Sequence, residues 1–324
     1  MNTMKAITQD RYGSPDVLDL REIEQPAVAQ DDHVLIQVQA ASANPLDWHI
    51  IRGKPFFVRL SGTGLRKPKL GTPGRDVAGT VVAVGKDVTR FKPGDEVFGF
   101  SPGAFAEFAR SLEKSLVPKP SNVTFAQAAA VPVAATTALQ GLRDHGKVQP
   151  GQKVLIIGAS GGVGTFAVQI AKWLGAEVTG VCSTRNLEMV RSIGADHVID
   201  YTKEDFTRSG MRYDVILELA GTRSTGDLRR ALTPTGTLVL SNGSGRLSGI
   251  DRIISAAVLS RFVGQKLGPF LASETREDLA VIADLLASGT VVPVIDRTYP
   301  LTETPDAIRY LEAGHTQGKV VIAV

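Results

Sequence analysis

Lys153-Val-Leu-Ile-Ile-Gly158-Ala-Ser-Gly161-Gly162-Val-Gly164 is the stretch on which the reading of this chain turns. Its first part is apolar throughout, the make-up of a strand buried on both faces. Beyond the glycines, Val163, Phe166, Ala167, Ile170, Ala171 and Leu174 recur at helical spacing and form one apolar face. A strand that runs through small residues into a helix lets the backbone approach a diphosphate, whose charge the first helical N–H groups favour. The spacing departs from a plain G-x-G-x-x-G: Ala159 stands where the first glycine would be, Gly158 lies one residue earlier, and Ser160 adds a hydroxyl. Glycine spacing alone is a weak signal, but this loop has its strand, its helix and a second strand at the proper distance.

Downstream, apolar runs at residues 178–182, 197–199, 214–219 and 237–240 alternate with helical periods. That alternation predicts an α/β domain, a doubly wound parallel sheet covered on both sides. The end of the second strand selects the cofactor. An Asp or Glu there binds the ribose 2′-hydroxyl of NAD, yet the run is Cys182-Ser183-Thr184-Arg185-Asn186. Hydroxyls and a guanidinium suit a 2′-phosphate, so NADP(H) is expected. Ser183 also suits a helix cap, a role compatible with phosphate binding.

The first third is β-rich, with strand candidates at 34–40, 77–84 and 96–100 and a Gly/Pro-dense loop from 53 to 74. Residues 125–142 read as an alanine-rich helix broken at Pro132. After about 270 come an amphipathic helix at 277–288, a short apolar run at 291–294, a helix near 305–312 and a closing strand at 319–324. A terminal strand needs a partner, so the tail is expected to return to the first domain. The composition, 43% hydrophobic and 21% charged over 324 residues, is that of a globular chain with two domains. With a net charge of +3 and no long basic block, neither nucleic acid nor a membrane is expected as partner. One cysteine, Cys182, excludes an intrachain disulfide, and the start MNTMKAITQD resembles no targeting segment, so a cytoplasmic location is expected.

In order along the chain, Asn44-Pro-Leu-Asp47, Pro73-Gly-Arg-Asp-Val-Ala-Gly79, Pro93-Gly-Asp-Glu-Val-Phe-Gly99, Ala130-Val-Pro132 with Thr137-Ala138, the glycine loop, Gly194-Ala-Asp196 with Tyr201, and Gly318-Lys-Val-Val-Ile322 resemble the medium-chain dehydrogenase/reductase superfamily. The resemblance is to its zinc-free quinone oxidoreductase branch. It implies a GroES-like substrate domain over 1–124, completed by 271–324, and a Rossmann NADP(H)-binding domain over 125–270. It further implies that Ser160, Gly161, Gly162 and Val163 contact the pyrophosphate, that Ser183 and Arg185 hold the adenosine end beside Tyr201, and that Leu219 and Ala220 line the path to the nicotinamide. Ser241 and Gly243 lie on the same sheet edge, and Lys319 is placed near the nicotinamide. Dimers are common in the family, so a homodimer is possible.

Zinc-dependent members hold their metal with a cysteine and a histidine, where this chain has Asn44 and Arg75-Asp76. Zinc takes thiolate, imidazole or carboxylate, and His49 has no partner near it in sequence, so no metal is expected. Without a Lewis acid, developing oxyanion charge must be met by hydrogen bonds. That favours acceptors whose reduced anion is delocalised: quinones and α,β-unsaturated carbonyls. Asn44, Asp47 and Thr137 are the polar candidates for the chemistry, although Asn44 and Asp47 could equally serve only as turn and cap. The tyrosine proton donor of related enoyl thioester reductases has no counterpart in Ile51-Arg-Gly-Lys-Pro-Phe-Phe57. Two other readings remain open: a cofactor-binding sensor or interaction protein with little turnover, and a zinc-free NADP-dependent alcohol dehydrogenase.

Overall fold

Two sheets of opposite character organise the chain. The structure is a computed structural model that describes every residue except 1, 29, 57, 70, 221–222, 242–255, 257–258 and 261–262. It divides into two compact units, Met1–Ala134 with Glu274–Val324, and Ala135–Ser273.

The second unit is built on six parallel strands. Their spatial order is His197–Asp200, Glu177–Cys182, Lys153–Ile157, Tyr213–Glu218, Leu232–Leu240, Lys266–Pro269. The chain starts in the middle, steps outward twice, then returns to fill the other half. The reversal lies between Lys153–Ile157 and Tyr213–Glu218, where open α/β sheets bind ligands at the carboxyl ends of their strands. Apolar strands follow from burial on both faces: Leu155, Ile157, Val181, Ile216, Leu238 and Leu240 share one cluster with Phe206 and Leu228. The helix Gly162–Trp173 lies against the two strands that flank the glycine loop.

The first unit is antiparallel around the long strand His33–Ala43, which pairs with Asp76–Val84 and Phe108–Leu112 and, at its far end, with the closing strand Lys319–Ala323. The tail also pairs in parallel with Ile295–Pro300. Ile36, Val38, Val77, Val81, Phe105, Leu116, Val320 and Ile322 fill the core. A separate pair, Thr3–Gln9 with Leu18–Glu24, was not foreseen from the sequence. Nor was the strand Ile295–Pro300, which replaces the apolar run expected at 291–294.

After His33–Ala43 the chain turns into the helix Pro45–Arg52. Proline at the first position presets its φ, Asn44 caps it, and Asp47 returns its carboxylate to the Asn44 N–H. Gly53, at φ 59°, ends it in the left-handed conformation that glycine adopts without strain.

Candidate functional site

Every described residue assigned to cofactor binding in the second unit lies at the carboxyl ends of the parallel strands. The glycine loop follows Ile157, Ser183 and Arg185 follow Cys182, Tyr201 follows Asp200, Leu219 and Ala220 follow Glu218, and Ser241 follows Leu240. Gly243 lies outside the described residues.

Steric detail explains the small residues of the loop. Gly158 has φ 86°, and a Cβ there would sit 2.8 Å from the Ala220 methyl. A Cβ on Gly164 would lie 2.1 Å from the Gly158 carbonyl oxygen, so the first turn of the helix packs directly on the loop. Gly161, the helix cap, offers no side chain, and a Cβ on it would meet only the Gly158 oxygen at 3.5 Å. The N–H groups of Gly162, Val163 and Gly164 therefore begin the helix with neither an intrahelical partner nor a side-chain cap.

Two further residues join this edge, and neither was assigned a site role from the sequence. Asn186 is buried, and its amide donates to Ser160 Oγ at 2.8 Å and reaches Ser183 Oγ at 3.4 Å. It ties the glycine loop to the end of the second strand. Asp200 accepts hydrogen bonds from the Thr184 hydroxyl and, at 2.6 Å, from Thr202 Oγ1. These donors pull its pKa down to about 2. Thr184 thus spends its proton on Asp200. Arg185 is exposed, and Tyr201, more than half exposed, donates its N–H to the Cys182 carbonyl beside Ser183. Cys182 is buried, and its thiol is pushed up to about 11, so it holds its proton at neutral pH.

In the first unit a buried polar cluster gathers Asn44, Asp47 and Lys319 with Asp76 and Ser42. The strand register brings them together: Asp76 lies opposite Ser42, and Val320 lies opposite Ala43, which leaves Lys319 beside Asn44. Lys319 Nζ donates to Asn44 Oδ1 at 2.5 Å, to the Ala43 carbonyl at 3.3 Å and to Asp76 Oδ2 at 3.3 Å, which uses its three protons inside this unit. Asp76 also accepts from Asn44 Nδ2 at 2.8 Å, Ser42 Oγ at 2.7 Å and the Val133 N–H at 3.0 Å. Its neighbour Arg75 pairs with Glu274.

Asp47 differs from Asp76. It has one bond, from the Asn44 N–H at 2.8 Å, and no cation on its carboxylate. Burial, with the Asp76 charge adding to it, raises its pKa to about 7. Thr137 is buried on the helix Pro132–Gln140 and belongs to the other unit. His49 stacks on Trp48 and points Nδ1 at the Lys54 carbonyl at 2.8 Å, a structural use of the ring. Among the described residues, no group of three or more His, Cys, Asp or Glu side chains could hold a metal ion.

Residues 30–121 match the family model described as alcohol dehydrogenase GroES-like domain, and residues 193–322 the one described as zinc-binding dehydrogenase. The 2-methylene-furan-3-one reductase of Solanum lycopersicum is 36% identical over 333 residues, covering 98% of this chain and 79% of that protein. The chloroplast envelope quinone oxidoreductase homolog of Arabidopsis thaliana is 34% identical over 336 residues and 98% of each chain. The chain belongs to the medium-chain dehydrogenase/reductase superfamily, in its quinone oxidoreductase-like branch. The solved quinone oxidoreductase from Coxiella burnetii superposes with a TM-score of 0.88 at 30% identity over 100% of both chains. The first unit is the GroES-like domain and the second the Rossmann domain of an oxidoreductase with a nicotinamide cofactor. The cradle at Gly158–Gly164 fits such a cofactor: Gly161 adds no side chain at the head of the helix, and the three N–H groups that follow have no side-chain cap to compete with a diphosphate.

Proposed function

We propose that this medium-chain dehydrogenase/reductase transfers hydride from NADPH to a quinone or an α,β-unsaturated carbonyl, without a metal. The observation that carries the reading is the cap-free helix start at Gly161, Gly162 and Val163, packed on the loop by Gly158 and Gly164. When bound there, the reduced nicotinamide supplies the hydride. The chain's own residues do the rest.

Gly162, Val163 and Gly164 bind the diphosphate through backbone N–H groups, Gly161 closes the loop by donating its own N–H to the Gly158 carbonyl at 3.1 Å, and Asn186 fixes the hydroxyl of Ser160 beside it. Ser183 and Arg185 take the 2′-phosphate, with Tyr201 alongside; this preference for NADP over NAD rests on the absence of a carboxylate between 182 and 187. Asp200, which bonds Thr184 in that run, has its charge already held by Thr184 and Thr202. Leu219, Ala220 and Ser241 line the same edge.

On the substrate side, Asp47 holds a proton near neutral pH and supplies it to the reduced acceptor. Asn44 positions Asp47 through its own N–H, while its amide is held by Lys319 and Asp76. Lys319 spends its protons on Ala43, Asn44 and Asp76, so in this reading it positions Asn44 and does not touch the nicotinamide. At the places where zinc-dependent relatives keep ligands, this chain has Asn44, Arg75 and Asp76. Two of them already surround the Lys319 ammonium, and the third pairs with Glu274. Charge on the reduced acceptor is then met by hydrogen bonds and delocalisation, which suits quinones and enones better than simple ketones.

The test is NADPH consumption with 1,4-benzoquinone, an enone panel and simple alcohols, before and after exhaustive chelation. Turnover of quinone or enone that survives chelation is expected. Turnover confined to alcohols favours the alcohol dehydrogenase reading, and binding without any turnover favours a sensor.

A further inference from the structure

Between Asp47 and Asp76 the chain has no acidic residue, yet it has Arg52, Lys54, Arg59, Arg66, Lys67, Lys69 and Arg75. The whole chain balances to +3, so this stretch concentrates a charge that the total conceals. Arg52 and Arg75 are consumed inside the unit by Glu312 and Glu274. Arg59 donates to the Gly53 carbonyl at 2.9 Å and stacks over Tyr12, 4.5 Å from the ring centre. Lys54, Arg66, Lys67 and Lys69 are exposed and meet no acid among the described residues.

The same short stretch exposes three large apolar side chains: Phe56 at 60%, Leu60 at 65% and Leu65 at 55%. The backbone around them is a built structure. Val58 N bonds the Pro55 carbonyl at 2.9 Å, Thr63 Oγ1 the Val58 carbonyl at 2.7 Å, and Lys69 N the Thr63 carbonyl at 2.8 Å. From outside the loop, Tyr12 Oη pins it at 2.5 Å from the Gly64 carbonyl oxygen. A segment fixed at this many points presents Leu60 and Leu65 to water as a consequence of its fold.

We propose that Lys54, Phe56, Leu60, Leu65, Arg66, Lys67 and Lys69 form an interfacial anchor that docks the GroES-like domain on an anionic lipid bilayer. The headgroup layer takes both halves of this motif. Lipid phosphates attract the cations within a Debye length, and the acyl boundary accepts the aromatic and leucine side chains. Nucleic acid would satisfy the cations but leave Leu60 and Leu65 in water. No described helix is long and apolar enough to cross a membrane, so the protein would lie on the bilayer and not span it.

The experiment is co-sedimentation of the full chain with sucrose-loaded vesicles, of phosphatidylcholine alone or mixed in equal parts with phosphatidylglycerol. Binding to the mixed vesicles should exceed binding to the neutral ones by about tenfold or more and fall steeply with added salt. Arg66→Gln/Lys67→Gln/Lys69→Gln and, separately, Leu60→Ser/Leu65→Ser should each weaken it about tenfold. Lys86→Gln/Lys92→Gln/Lys114→Gln removes as much charge from exposed positions elsewhere and should leave it in place. Thermal unfolding of each variant checks that the fold is retained. Equal binding to both vesicle types, or full binding by both loop variants, would overturn the proposal. So would tighter binding to duplex DNA that Leu60→Ser/Leu65→Ser leaves unchanged. Vesicle binding is read without turnover, so its failure leaves the hydride-transfer reading untouched.

Discussion

Asp47 is buried with one N–H donor on its carboxylate and the charge of Asp76 close by. Its pKa is about 7, against 3.8 for the unburied group, so between those values the folded chain binds a proton that the unfolded chain has released. Stability therefore falls as pH rises from about 4 to about 7, by up to about 4 kcal/mol, and is flat above. The unfolding free energy of the native chain minus that of Asp47→Asn should fall through the same window. In catalysis, the alkaline limb should show activity lost as pH rises past about 7, and Asp47→Asn should abolish that limb; an unchanged profile counts against the proton-donor role. At the other site, Arg185→Ala should weaken NADPH at least about tenfold while NADH changes little, read by fluorescence titration. What the sequence left invisible were the pairings between distant residues. Asp76 and Lys319 meet only through strand register, and Asn186 meets Ser160 only because the second parallel strand ends beside the first. That Asn44 and Asp47 shape the start of a helix was legible because turn and cap are local patterns.

The glycine loop is the element that most constrains substitution. Gly164→Ala would set a methyl against the Gly158 carbonyl, forcing the helix start away from the loop. Both NADPH and NADH should then weaken together, by about tenfold or more, in contrast to the selective loss with Arg185→Ala. The strand–loop–helix unit was readable since its burial is two-sided and its periodicity strong. Ile295–Pro300 was not: Asp296, Arg297 and Thr298 carry none of the apolar alternation that marks a strand, and the segment joins the sheet at its edge through the tail. Leu18–Glu24 is hidden for the same reason, exposed along most of its length. The break at Pro132 was foreseen, and two helices, Phe125–Ala129 and Pro132–Gln140, flank it.

At the scale of the molecule, the closing strand is structural. It lies between Ile295–Pro300 and His33–Ala43, so the last residues of the chain complete the sheet that the first third begins. That return was expected from the need of a terminal strand for a partner. Lys319 sets the cation of its buried cluster, and Lys319→Met leaves Asp76 fully buried without its ammonium. A loss of about 3–5 kcal/mol in unfolding free energy is expected, measured by denaturant titration. The central claim is that a nicotinamide dinucleotide sits on the bare amides at the head of Gly162–Trp173. Calorimetric titration of NADPH into the intact chain tests it most directly: one site per chain, with heat strongly diminished in Gly164→Ala, is the predicted result. No heat from either NADPH or NADH, or heat indifferent to that substitution, would contradict it.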